Sequence, residues 1–182
     1  INAEYGELIT PDSYNTRKIP RAPFHDNIAM FVNQQGDVSH AILDQENRLA
    51  QYNMMFNSLA QQRDGLRKAL PSQRETMNAL NFVENQTDEV LFYHEIVNGL
   101  YAKAKILDNQ KIGLFLGSNV MVEYSVEEAK TLIQKNIKLM EDQINDLEKN
   151  LEFLKEQITI IEVTVSRIFN YDVQQRKQYK DK

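Results

Sequence analysis

The stretch that decides the fold runs from Ile133 to Ile168 and reads IQKNIKLMEDQINDLEKNLEFLKEQITIIEVTVSRI. Apolar residues recur in it at a strict three-four spacing. Ile133, Met140, Leu147, Leu154, Ile161 and Ile168 fall at heptad position d, and Ile137, Ile144, Leu151, Ile158 and Val165 at position a. A helix of 3.6 residues per turn keeps such a stripe on one side only by supercoiling left-handedly around a partner helix. Neither glycine nor proline occurs after Gly117, so nothing interrupts the element. Its start is marked as well: Ser125 with Glu128 three residues on is a capping box, and Glu127 adds charge suited to a helix N-terminus, which predicts a first turn near Val126.

A partner stripe lies upstream. From about Ser39 a second frame places Ile42, Leu49, Phe56, Arg63, Leu70 and Met77 at a, and Gln45, Tyr52, Leu59, Leu66, Gln73 and Leu80 at d; nine of these twelve are apolar. Gly65 and Pro71 weaken this helix, but the frame does not slip across Pro71, which predicts one kinked helix instead of two. Between the helices the period falls from seven to two. Val90 to Val97, a turn at Asn98 and Gly99, and Leu100 to Ile106 read as a β-hairpin. Ile112, Leu114 and Leu116 alternating with Gly113 and Phe115, a turn over Gly117 to Asn119, and Val120 to Tyr124 read as another.

A helix of about 50 residues is about 75 Å long, too long for a compact domain of this mass, so the two stripes cover each other most directly as an antiparallel coiled coil. The g column of the second helix, Asn136, Gln143, Asn150, Gln157 and Thr164, carries no charge and so lacks the code of a parallel homodimer. The fold class is α+β, mainly α: a long antiparallel coiled coil with two β-hairpins inserted between its helices. Two isolated hairpins are marginal in water and leave strand edges open. Leu100, Ala102, Ala104, Ile112, Leu114, Phe115, Leu116, Val120, Met121 and Val122 are therefore expected to join strands of other subunits.

Residues 1–24 hold three of the four prolines and are expected to form a flexible or extended lead-in. A short helix is expected around Phe24, Ile28, Met30, Phe31 and Val32, ending at Gln34 to Asp37. The domain then runs over 25–182, with a first helical arm at 25–87, hairpins at 88–124 and a second arm at 125–178. Beyond the seam, Phe169, Tyr171 and Val173 take positions e, g and b and meet the Phe24 to Val32 cluster at the free end of the coil. Grouped exposed apolar side chains mark an interaction surface. The alternative is that the lead-in folds over the end and buries both clusters.

Bulk properties exclude several classes. The 26 acidic and 21 basic residues are mixed along the chain, for a net charge of −5, which offers no field for nucleic acid. No apolar run approaches the roughly 20 residues that span a bilayer, and the N-terminus lacks the pattern of a signal peptide. The absence of cysteine suits a reducing compartment, so the cytosol is expected. His25, His40 and His94 lack the spacing of a metal site, Gly113 and Gly117 lack a phosphate-loop lysine, and Glu127/Glu128 and Glu141/Asp142 lie on solvated helix faces. No catalytic residue, metal or cofactor is expected. Arg176, Lys177, Lys180 and Lys182 read as a frayed basic end.

The run Ile19 to Phe24 (IPRAPF), the run Gly113 to Tyr124 (GLFLGSNVMVEY) and the closing Arg167 to Val173 (RIFNYDV), set in the order helix, hairpin, hairpin, helix, resemble the α-class subunits of the prefoldin family. The resemblance spans about residues 19–177. It implies a non-enzymatic subunit in a hexamer of two α-class and four β-class chains, whose hairpins form a β-barrel carrying six coiled-coil arms. It further implies that arm tips hold non-native proteins, chiefly actin and tubulin, without ATP and pass them to the group II chaperonin. Carried onto this chain, client contacts fall on Phe24, Ile28, Phe31, Val32, Phe169, Tyr171 and Val173. The competing readings are a structural coiled-coil adaptor and a subunit of a prefoldin-like nuclear scaffold.

Overall fold

The computed structural model describes residue 15 and residues 17–85, 91–105 and 111–180, with side chains up to Lys177. Val90 and Ile106, assigned above to the first hairpin, lie outside the described residues. The elements in chain order are α1 (Ile28–Gln35), α2 (Val38–Glu84), β1 (Leu91–Val97), β2 (Leu100–Lys105), β3 (Lys111–Gly117), β4 (Val120–Ser125) and α3 (Val126–Lys180). Every a and d position of both heptad frames is buried or half-buried. The period of the sequence is thus the period of the seam. The chain divides into two compact units: one comprises the residues up to Asp64 and from Asn145 onward, the other Gly65–Ile144.

In the first unit the beginning of α2 packs beside the end of α3, which makes the pairing antiparallel. Ile28, Phe31 and Val32 of α1 close on Ala41 and Ile168, with Val38, Ile42 and Tyr171 against them. Asn27 caps α1 by accepting from the Met30 amide at 3.1 Å, and Gly36 ends it at φ 91°, a left-handed conformation that costs glycine nothing. One seam position is polar at no exposure: Gln45 donates Nε2 to Asp44 at 3.1 Å while its buried Oε1 finds no partner among the described residues. A buried polar group at d costs stability and favours one register over its neighbours.

In the second unit the end of α2 meets the start of α3. Leu80, Ala129 and Ile133 form the core, and Met77, Ile137 and the hairpin residues Ile112, Leu114 and Tyr124 pack on it. Arg74 to Glu141 at 2.7 Å and Lys130 to Glu84 at 2.6 Å bridge the two helices. Helix α2 passes through Pro71 without breaking. The capping box forms as predicted: Ser125 Oγ accepts from the Glu128 amide at 3.3 Å, and Glu128 Oε2 accepts from the Ser125 amide at 3.1 Å and its hydroxyl at 2.8 Å. These bonds hold the Glu128 carboxyl below its usual pKa.

The hairpins are two separate two-stranded antiparallel sheets, β1 with β2 and β3 with β4. Both close on two-residue turns, pairing Val97 with Leu100 and Gly117 with Val120, and both shift register just before the turn, at Glu95/Val97 and Phe115/Gly117. In the second, Ser118 and Asn119 both take positive φ, 49° and 61°, the backbone of a primed turn whose twist matches the strands.

The lead-in, expected to be flexible or extended, is from Ile19 to Asn27 a non-helical strap packed on the first unit, with Ile19 and Ala22 buried. It is preceded by a turn in which the Lys18 amide donates to the Asn15 carbonyl at 2.9 Å and the Asn15 amide to the Ile19 carbonyl at 3.1 Å. The reason for the packing is the uncharged g column of α3. Its Asn150, Gln157 and Thr164 are buried, and the first two offer the strap polar groups without the cost of desolvating a charge. Residues 1–14 and Thr16 lie outside the described residues.

Candidate interaction surfaces

The strap is bonded along its length. Asn15 Nδ2 donates to Asn150 Oδ1 at 2.6 Å, and Arg17 pairs with Asp146 at 2.9 Å. Tyr52 Oη donates to the Pro20 carbonyl at 2.9 Å, and the Ala22 amide donates to Gln157 Oε1 at 2.9 Å. Gln157 is aimed by its own Nε2, which donates to the Phe153 carbonyl at 3.2 Å. Arg167 donates to the carbonyls of His25 at 2.7 Å and Asp26 at 2.8 Å and stacks on Phe24 at 5.2 Å. Burial raises the pKa of Tyr52, consistent with a hydroxyl that keeps its proton and donates it.

This strap redraws the apolar surface expected beside it. Ile28, Phe31 and Val32 are core residues, at 8%, 6% and 5% exposure, because α1 folds its apolar face onto Ile168. They are corrected from surface to interior. Tyr171 is half-buried against the same core. What remains open is Phe24, Phe169 and Val173, joined by Met30 of α1. The lead-in and α1 thus bury part of the two clusters and leave part exposed, between the alternatives the sequence left open.

The hairpins present a larger open apolar area. Every residue of β1 is exposed, Leu91, Phe92, Tyr93, Ile96 and Val97 among them. Leu100, Phe115, Leu116, Val120 and Met121 are exposed as well, whereas Ala102, Ala104, Ile112, Leu114 and Val122 are half-buried, Ile112 and Leu114 against the coil. Phe115 stands opposite Met121 across the strands. Neither hairpin can cover this area with its own two strands.

Among the described residues no group of His, Cys, Asp or Glu is placed to hold a metal, and no helix is long and apolar enough to cross a membrane. His25, near the end of the strap, stacks its ring on Phe31 of α1 at 3.8 Å. Burial, the chief cause, together with Arg48 and Arg167 lowers its pKa against the opposing pull of Asp44. The roles of Tyr52, Gln157 and Arg167 in holding the strap were not read from the sequence. The one sequence signal that bears on them is the uncharged g column of α3, which also bears on dimerisation.

An antiparallel coiled coil with two interposed hairpins defines the class of fold, and comparison with known proteins identifies the family. The profile of the prefoldin family, described as Prefoldin subunit, matches residues 52–171. The chain is 32% identical to Prefoldin subunit 3 of Elsinoe fawcettii over 92% of its own length and 86% of that protein. It is 30% identical to Prefoldin subunit 3 of Saccharomyces cerevisiae, covering 95% and 93%, and 30% identical to that of Homo sapiens, covering 88% and 84%. A filamentous PFD from Methanocaldococcus jannaschii, solved by cryo-electron microscopy, superposes with a TM-score of 0.55 at 18% identity over 64% of this chain and 98% of that one, which supports the fold. The chain belongs to the prefoldin subunit family. The members it resembles over most of its length are of the subunit 3 type.

Proposed function

We propose that the chain is one arm of a hexameric prefoldin, built from two α-class and four β-class subunits, that holds non-native proteins without ATP and hands them to the group II chaperonin. The observation that carries this reading is the exposed apolar face of the two hairpins in a chain of this family. Such faces call for partner strands, and a barrel shared among six chains supplies them. Actin and tubulin are the clients proposed from the family resemblance, and the cytoplasm the compartment.

The client contacts are proposed at Phe24, Met30, Phe169 and Val173. These offer a small apolar area, and at about 25 cal/mol per Å² a single arm binds weakly. Several arms on one client raise avidity by about 10² to 10⁴ without a rigid site, which suits a ligand of no fixed shape that must later be released. Flexible Met30 and the aromatic rings can adapt to different segments. Replacing Phe169 and Val173 by Ser in the assembled complex is expected to weaken suppression of client aggregation several-fold, measured by light scattering of denatured actin on dilution. Unchanged suppression would count against this surface and favour an adaptor role.

A further inference from the structure

Between Ile19 and Asp26 the hydrogen bonds that hold the strap do not use its own side chains, which add Arg21 over Phe153 at 5.8 Å and Phe24 beneath Arg167 at 5.2 Å. Four of its hydrogen bonds to α2 and α3 end on backbone atoms: Tyr52 to the Pro20 carbonyl, Gln157 to the Ala22 amide, and Arg167 to the carbonyls of His25 and Asp26. Between Ile19 and Asp26 only two side chains, Ile19 and Ala22, are buried, and they stand three residues apart. Backbone N–H and C=O groups are common to every polypeptide. A track that bonds to them and accepts two spaced apolar side chains reads extended conformation rather than sequence.

With the strap in place Gln157 is 2% exposed and Tyr52 6%, so the strap shields from water the polar groups that it bonds. Pro20 and Pro23 fix φ and push the residues before them toward extended backbone, so little entropy is lost when the strap lies down. These features describe a segment built to imitate an extended chain.

We propose that Tyr52, Gln157 and Arg167 line a docking track for extended segments of non-native polypeptide, and that Ile19–Asp26 is its occupant in cis, displaced when a client segment enters. The inference rests on the client-holding reading above and names a second surface for it, along the flank of the coil. A tethered occupant competes at high effective concentration. Client affinity at the track is therefore scaled down by the fraction of time the strap is open. Competition of this kind keeps the polar groups satisfied between clients and makes release the favoured step.

The test uses the complete complex containing this chain and, as probe, fluorescein-labelled reduced and carboxymethylated lactalbumin, a permanently unfolded polypeptide. Ile19→Asp together with Ala22→Asp places two carboxylates where the strap is buried and so expels it. Anisotropy titration is expected to show tighter probe binding by the variant, by about tenfold if the strap occupies the track nine-tenths of the time. Adding Tyr52→Phe and Gln157→Leu is expected to remove that gain. Unchanged or weaker binding by the expelled-strap complex, or a gain that survives the loss of Tyr52 and Gln157, overturns the proposal. A second measurement needs no variant: in the wild-type complex, hydrogen exchange at the Ala22 amide is expected to accelerate on saturation with probe. Saturable binding with unchanged Ala22 exchange overturns the track alone, whereas no binding by either complex overturns the client-holding reading with it.

Discussion

His25 shows how much one side chain can depend on its neighbours. Its ring lies against Phe31, its Nε2 is buried without a partner among the described residues, and burial lowers its pKa from 6.5, helped by Arg48 and Arg167 and opposed by Asp44. The unfolded chain therefore binds a proton here more readily than the folded one. The contribution of this contact is present above about pH 6.5 and is lost as pH falls from 6.5 toward the lowered value. Thermal unfolding of the wild type is expected at lower temperature at pH 5.5 than at pH 7.5, with a smaller difference in His25→Phe; equal differences in the two proteins would contradict this placement. Little of it was legible in the sequence. A lone histidine between Phe24 and Asp26 reads the same whether it is exposed or stacked, and an uncharged g column reads the same whether it faces solvent or a strap. Phe24, Phe169 and Val173 were legible as residues outside the seam, but Ile28, Phe31 and Val32 went inside because an eight-residue amphipathic helix buries its apolar stripe wherever a neighbour allows.

Among the elements, α2 carries a visible cost. Pro71 lies inside it, exposed, one residue past the seam position Leu70, where it can neither donate its backbone hydrogen bond nor avoid crowding the preceding turn. Pro71→Ala is expected to raise stability by about 1 to 3 kcal/mol, read as a higher urea midpoint with unchanged slope. A fall in the midpoint would mean that the proline has a packing role not visible here. The hairpins carry the opposite character, stable pairing with an unfinished face. Replacing the cross-strand neighbours Phe115 and Met121 by Ser is expected to abolish entry into the complex while helix content by circular dichroism is retained. An intact complex would remove the hairpins from the assembly surface. These elements were the most legible part of the chain, since the heptad period, the capping box and the Asn98–Gly99 turn are local signals. The strap was not, because its conformation is imposed by residues more than a hundred positions away, such as Gln157 and Arg167.

For the molecule as a whole, the exposed strands of β1 to β4 and the open apolar side chains beside the strap mean that the isolated chain leaves its two interaction surfaces incomplete. Membership of the prefoldin subunit family gives the strands a counterpart in other subunits; an unfolded polypeptide is the counterpart proposed above for the coil. The central claim concerns assembly, and native mass spectrometry of the complex recovered with this chain from its source cells addresses it most directly. The account predicts one copy of this chain with five other small coiled-coil subunits in a single assembly. A homodimer, or a complex built on a long-tailed scaffold protein, would contradict it.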